Sequence, residues 1–187
     1  AHYQRRLVGN GSKEKNLALN SVKVLKICTQ INEELDIRQK LVVLARLLEF
    51  IKSGQEVSDQ EIEFVQAVSE IFFFSSENFQ LLRDFVMSDE DNIPVSPKFL
   101  LIDGHRASLI PDIRHYCHEM FEDKLWVLYF EQSNMYLVRK FGTNELYLNG
   151  QSVIPGNVYV LNQGSSLRDS RMKPIYYSDI VNFFFAD

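Results

Sequence analysis

At 187 residues, with 45% hydrophobic and 24% charged content, the chain has the make-up of a globular protein and room for one domain or two small ones. A net charge of −5 excludes a general nucleic-acid binder, which needs a basic field over the phosphates. The two cysteines, Cys28 and Cys117, lie in different halves without a CxxC partner and read as free thiols in a reducing compartment, and no apolar run reaches the ~18 residues of a membrane span.

No signal peptide opens the chain, and Ala1-His2 reads as an artificial start, so a neighbouring segment is expected to carry any activity. Residues 1–14 are polar and glycine-broken, a loose lead-in. Leu17, Val24, Leu25, Cys28, Ile31 and Leu35 then mark a first helix. Ile37, Leu41, Leu44, Ala45, Leu48 and Ile51 predict a second over Asp36–Lys52, with Val42, Val43, Leu47 and Phe50 as another apolar face, the pattern of a central helix. Gly54 suits a left-handed cap at its end. Ser58 and Glu61 are spaced as a capping box opening a third helix, Asp59–Phe74, with inward Ile62, Val65, Val68 and Phe72. Ser75-Ser76-Glu77 opens a fourth, with Phe79, Leu82, Phe85 and Val86 inward. Four helices make a small bundle.

Ser88–Pro97 changes the composition abruptly, with acidic residues and two prolines; residues 93–97 read as a semi-stiff linker between a helical unit (1–92) and a second unit (98–187). Beyond it the period falls from helical to two. Phe99–Ile102 is a short apolar run ended by Asp103-Gly104. Residues 111–121 are expected to form a short helix begun by Pro111, with Ile113, Cys117, Met120 and Phe121 inward. Lys124–Glu131 and Met135–Phe141 are strands. Asn149-Gly150 marks a hairpin between Glu145–Leu148 and Gln151–Ile154, and Asn157–Leu161, Ser165–Arg168 and Lys173–Tyr177 are further short strands. Such a string argues for an antiparallel sandwich or partial barrel. Phe183-Phe184-Phe185 either covers this sheet or begins a further segment.

Catalytic motifs are absent: no GxxxxGK[ST], no GxGxxG after a strand, no GxSxG, no HExxH and no paired-cysteine zinc spacing. No nucleophile–base pair can be named, so a non-enzymatic segment is expected. His115, Cys117 and His118, with His105 near in sequence, are the one cluster of metal-ligand types; on a helix His115 and His118 would share a face, and the alternative is a surface helix with solvated histidines. Glu49, Glu56, Asp59, Glu61 and Glu63 gather around the helix pair and read as caps and surface charge, leaving Glu49, Asp59 and Glu61 as the residual metal candidates. Arg139-Lys140 is a lone basic pair, read as solvated strand edge. Residues 13–92 hold nine Lys and Arg against fifteen Asp and Glu, and residues 93–187 nine against ten, so the helical half is the acidic one: a solvated face or a docking surface for a cationic partner.

The run Leu41–Ile51, then Ser53-Gly54, Val57–Glu61, Ile62, Val65 and Ile71, resembles the TerB-like helical domains of tellurite resistance. That resemblance implies a helical bundle in which acidic residues near the turn are thought to bind metal; Glu61 matches the family's early Glu, while Ser53 stands where the family has Asp. The stretch Leu146–Gln151, Ile154, Pro155-Gly156, Val158–Leu161 and Gly164–Arg168 resembles a degenerate forkhead-associated (FHA) sandwich, without the ordered Gly-Arg and Ser-x-x-His elements that hold phosphothreonine. Together with Pro174–Ile180, the combination is similar to the cytoplasmic N-terminal region of certain bacterial ABC transporter ATP-binding proteins. This implies an α-then-β, two-domain segment without catalytic or cofactor residues of its own. An ATPase domain using ATP and Mg would follow it, with a membrane domain beyond. It further implies a cytoplasmic position at the inner membrane, and as partner that ATPase domain or a cytoplasmic protein. A free-standing TerB-like protein that senses a metal ion in a stress response is the alternative.

Overall fold

The computed structural model describes residues 19–186; the lead-in read at 1–14 and Leu17 lie outside them. Four helices come first: α1 (19–31), α2 (Ile37–Lys52), α3 (Asp59–Ile71) and α4 (Ser76–Met87). Nine short strands follow: β1 (Phe99–Asp103), β2 (Arg114–Cys117), β3 (Lys124–Phe130), β4 (Met135–Phe141), β5 (Tyr147–Leu148), β6 (Gln151–Ser152), β7 (Val158–Leu161), β8 (Ser166–Arg168) and β9 (Ile175–Tyr176). The described chain ends with a fifth helix, α5 (Tyr177–Phe185). The layout is α then β, and the sheets do not close into a barrel.

The helix starts follow the local chemistry. Asp36 Oδ1 accepts from the Gln39 amide at 2.8 Å while the Gln39 side chain accepts from the Asp36 amide at 2.9 Å, a capping box on α2. Ser58 and Glu61 do the same for α3, with 3.2 and 2.8 Å bonds. The helix ends differ from expectation. Ser53 and not Gly54 caps α2, in right-handed geometry. The left-handed cap lies instead at Phe73, φ 63°, where Phe73 N–H bonds Glu70 O and Phe74 N–H bonds Ser69 O. Phe72 and Phe74 on either side are buried, and this double anchorage holds a side chain where glycine is usual.

The larger sheet has order β2-β1-β3-β4-β7; all its pairs are antiparallel except β1 with β2. The smaller has order β6-β5-β8-β9 and is antiparallel throughout. Asn149 (φ 51°) and Gly150 (φ 81°) turn β5 into β6 as the Asn-Gly pair predicts. Alternation divides the larger sheet between two cores. Phe99, Leu101, Trp126, Leu128, Leu137 and Phe141 face the helices and share one buried cluster with Leu41, Leu48, Val65, Phe72 and Phe85. Leu100, Ile102, Leu125, Val127, Tyr136 and Val138 face the smaller sheet and α5. The molecule is therefore three layers deep, and its helical part and its strands share the first core. Ile93, in the proline-bearing connection, is buried in that core.

Three readings are corrected. Residues 111–121 contain no helix; they carry β2, bracketed by Asp112 (φ 60°) and Met120 (φ 74°), because alternating side chains and parallel pairing with β1 override a helical spacing of four apolar residues. Arg139 and Lys140 are not a solvated edge. They lie in β4, between β3 and β7, with 3% and 0% of their surface exposed. Val24 of α1 and Phe50 of α2, read on apolar faces, are instead exposed, at 41% and 77%. Phe183–Phe185, read as covering the sheet or beginning a further segment, forms the end of α5 and covers the sheet, with Phe184 buried against Tyr129 and Tyr136.

Candidate functional site

The three residual metal candidates do not come together. Glu61 is occupied by its own cap, Asp59 is exposed in the first turn of α3, and Glu49 faces the sheet. Glu49 accepts from the Val158 amide at 2.6 Å, and Arg46, paired to Glu49 at 2.8 Å, donates to the Val158 carbonyl at 2.8 Å. One turn of α2 thus stands where another strand would pair with β7 and caps that edge at Val158. Among the described residues, no group of three or more His, Cys, Asp and Glu side chains is arranged to hold a metal ion.

The histidine cluster is rearranged by the strand. Asp103, 5% exposed at the end of β1, holds His115 Nε2 2.8 Å from one carboxylate oxygen and His105 Nδ1 3.2 Å from the other, and accepts the His105 amide at 2.9 Å. Burial, the largest single influence, pushes this carboxyl up; the bonds from His115 and His105 together outweigh it and hold it below the usual range. His118 is turned away. Its Nδ1 lies 3.0 Å from Glu119 O, and its ring packs edge-on to Tyr116, which stacks on Phe183. Cys117 Sγ lies 3.9 Å from Gly104 O, and Gly104 is obligatory because a Cβ would sit 2.6 Å from Phe121 O. Asp103 was legible only as half of a turn dipeptide; its pairing with His115 needs the β1–β2 register, which brings residues twelve apart side by side.

Two buried cations also escaped the sequence. Arg139 Nη1 donates to Phe85 O (2.9 Å) and Ser88 O (2.7 Å) at the end of α4, and its Nε donates to Gly156 O (3.1 Å). Its guanidinium lies over the rings of Phe141 and Trp126. Burial lowers its pKa to about 10, against the opposing pull of Asp89 and Glu49. Lys52 Nζ donates to Val86 O at 2.9 Å; burial first and Arg139 second lower its pKa, with Asp89 raising it. Cations thus meet the unpaired carbonyls of the α4 C-terminus, where the helix dipole is negative. On the opposite face Lys140 pairs with Asp123 at 2.8 Å and donates to Gly142 O at 2.9 Å. Asn144 donates to the same carboxylate through backbone and side chain, both at 2.9 Å. Gly142, φ 100°, closes this turn where any Cβ would fall 2.2 Å from Asp123 Oδ1. The available signal was the strict alternation of β4, which sends successive charged residues to opposite faces of a strand whose other residues are mostly apolar.

Two open clefts lie on the surface: one of about 260 Å³ beside Glu122, Glu145, Asp169 and Arg171, and one of about 340 Å³ between the β7–β8 turn and α5, lined by Ser165, Tyr177, Ser178 and Asn182. Among the described residues the buried charges Asp103, Asp123, Arg139 and Lys140 each have a structural partner. No known family model, curated protein or solved structure matches the chain.

Proposed function

We propose that this chain is a non-catalytic docking and regulatory segment of a bacterial ABC-type transporter, placed before the ATP-binding domain. The observation that supports it is the seam between helices and strands. A shared core, the Arg139 bonds to the end of α4 and the Arg46–Glu49 cap on β7 at Val158 join the bundle to the sheet. A segment built this way moves as one body and transmits a contact on the acidic helices to the strands. In this reading the partner is the following ATPase domain or a cytoplasmic protein, ATP and Mg belong to that domain, and the segment lies at the cytoplasmic side of the inner membrane.

The coding sequence beyond Asp187 tests the placement: a GxxxxGK[ST] loop is expected there, and a stop codon in its place overturns the transporter. Given the loop, the ATPase rate of the whole chain is compared with that of a chain lacking residues 1–187; equal rates and equal coupling to transport overturn regulation. Calorimetric titration with Ca²⁺, Mg²⁺ and Zn²⁺ addresses the metal-sensing alternative. Micromolar binding that Glu61→Ala abolishes would replace the docking reading with that one.

A further inference from the structure

The two edges of the five-stranded sheet are treated differently. At β7, the outward N–H and C=O of Val158 are taken by Glu49 and Arg46 of α2. At β2 the other edge stays open. His118 N–H bonds Asp103 O at 2.7 Å, so in the parallel register Arg114, Tyr116 and His118 turn their backbone groups inward to β1. The N–H and C=O of His115 and Cys117 therefore point away from the sheet, and among the described residues no group pairs with them. All four β2 residues keep some solvent exposure, whereas β1 and β4 are buried throughout. Unpaired strand edges in native proteins are ordinarily covered, charged or twisted away. This one is short and carries none of the covering that α2 provides at the far edge.

We propose that β2 is a docking edge for an extended segment of a partner protein, which adds to the sheet as a sixth strand. The outward groups of two residues supply a ladder matched to a peptide of a few residues. The same shortness argues against a second copy as occupant. Two four-residue edges paired to each other cover far less than the roughly 1,000 Å² a specific protein–protein interface needs. The flanks specify the segment. On one side of β2 lies the stacked pair Tyr116–Phe183, with ring centroids 4.2 Å apart; on the other lie Asp103, His115 and Cys117. An added strand alternates its side chains between these sides. The segment is therefore one in which apolar or aromatic residues alternate with polar ones, the apolar set lying beside Tyr116 and Phe183. This rests on the docking part of the reading above and is independent of the transporter placement.

The probe is a displayed library of random linear peptides of about ten residues, selected on the intact chain. Selected sequences are expected to show apolar residues at every second position, and a synthetic copy of one is expected to slow hydrogen exchange at the His115 and Cys117 amides. Cys117→Pro removes one outward N–H and leaves the inward ladder intact; it is expected to weaken that peptide about tenfold or more, while Cys117→Ala binds as the parent does. Should Cys117→Pro fail to fold, the exchange measurement on the parent chain decides by itself. Selection of no peptide, protection elsewhere with none at His115 and Cys117, or unchanged binding by a folded Cys117→Pro each overturns the docking edge. None of these outcomes alters the test on the coding sequence, so the two readings fail separately.

Discussion

The two faces of the five-stranded sheet bury neighbouring cations by opposite strategies. On the helix face, Arg139 meets no carboxylate directly; its charge is spread over three backbone carbonyls and two aromatic rings. On the other face, Lys140 is fully buried against Asp123, whose remaining lone pairs are taken by Asn144. The difference follows from the side chains. A planar guanidinium has five donors in a fork that can serve several neutral acceptors at once, whereas a compact ammonium in the interior needs one counter-charge nearby. Arg139 thereby joins α4, β4 and the turn before β7, while Lys140 ties only the end of β4 to the start of β3. One cation organises the seam between layers, and the other closes a hairpin end.

The largest expected effect is on the Lys140 side. Asp123→Ala leaves a buried ammonium without its counter-charge and should cost about 3–5 kcal/mol in urea unfolding. A loss below about 1 kcal/mol would mean that Lys140 reaches water. Arg139→Leu keeps the apolar stem but leaves the carbonyls of Phe85, Ser88 and Gly156 without a donor; about 2–4 kcal/mol is expected. If Arg139 joins the layers as described, helix-sensitive and aromatic signals should coincide in the parent and separate in that variant. Coincident transitions would show that the shared apolar core suffices. Ser58→Ala, in the α3 cap and remote from both cations, should cost about 1 kcal/mol and leave the two signals together.

The smallest effect is on pH dependence. Asp103 is held below its ordinary range, so its contribution is fully present above about pH 4, the unfolded carboxyl value, and is lost as pH falls through its depressed folded value. Asp103→Asn should flatten the acid limb of stability against pH. A limb of unchanged slope would assign acid unfolding to other carboxylates.

Local signals were legible where a few neighbouring residues decide the outcome. The capping boxes at Asp36 and Ser58, the Asn149-Gly150 hairpin and the strands at 124–130 and 135–141 are all set by contacts within a turn or by strict alternation. Residues 111–121 misled because four apolar positions fit a helical period, yet pairing with β1 stabilises an extended strand where an isolated helix of that length would be marginal. The candidate site was legible only as residue types. His115, Cys117 and His105 stood out, but the carboxylate that gathers His105 and His115 lies on another strand, and His118 turns to a different neighbour.

By itself, then, the sequence determined the α-then-β order, most element starts and the main inward faces of α2, α3 and α4, but not the exposure of Val24 and Phe50, because propensity, capping and periodicity act over a handful of residues. Only the tertiary structure decided that the helices and the sheet share a core, that Arg139 and Lys140 are interior and on opposite faces, and that Arg46 and Glu49 cap one sheet edge at Val158 while α2 leaves the β2 edge uncovered. Those outcomes depend on strand order and register. They bring together groups as far apart as Glu49 and Val158, and no local pattern encodes which distant backbone a side chain will meet.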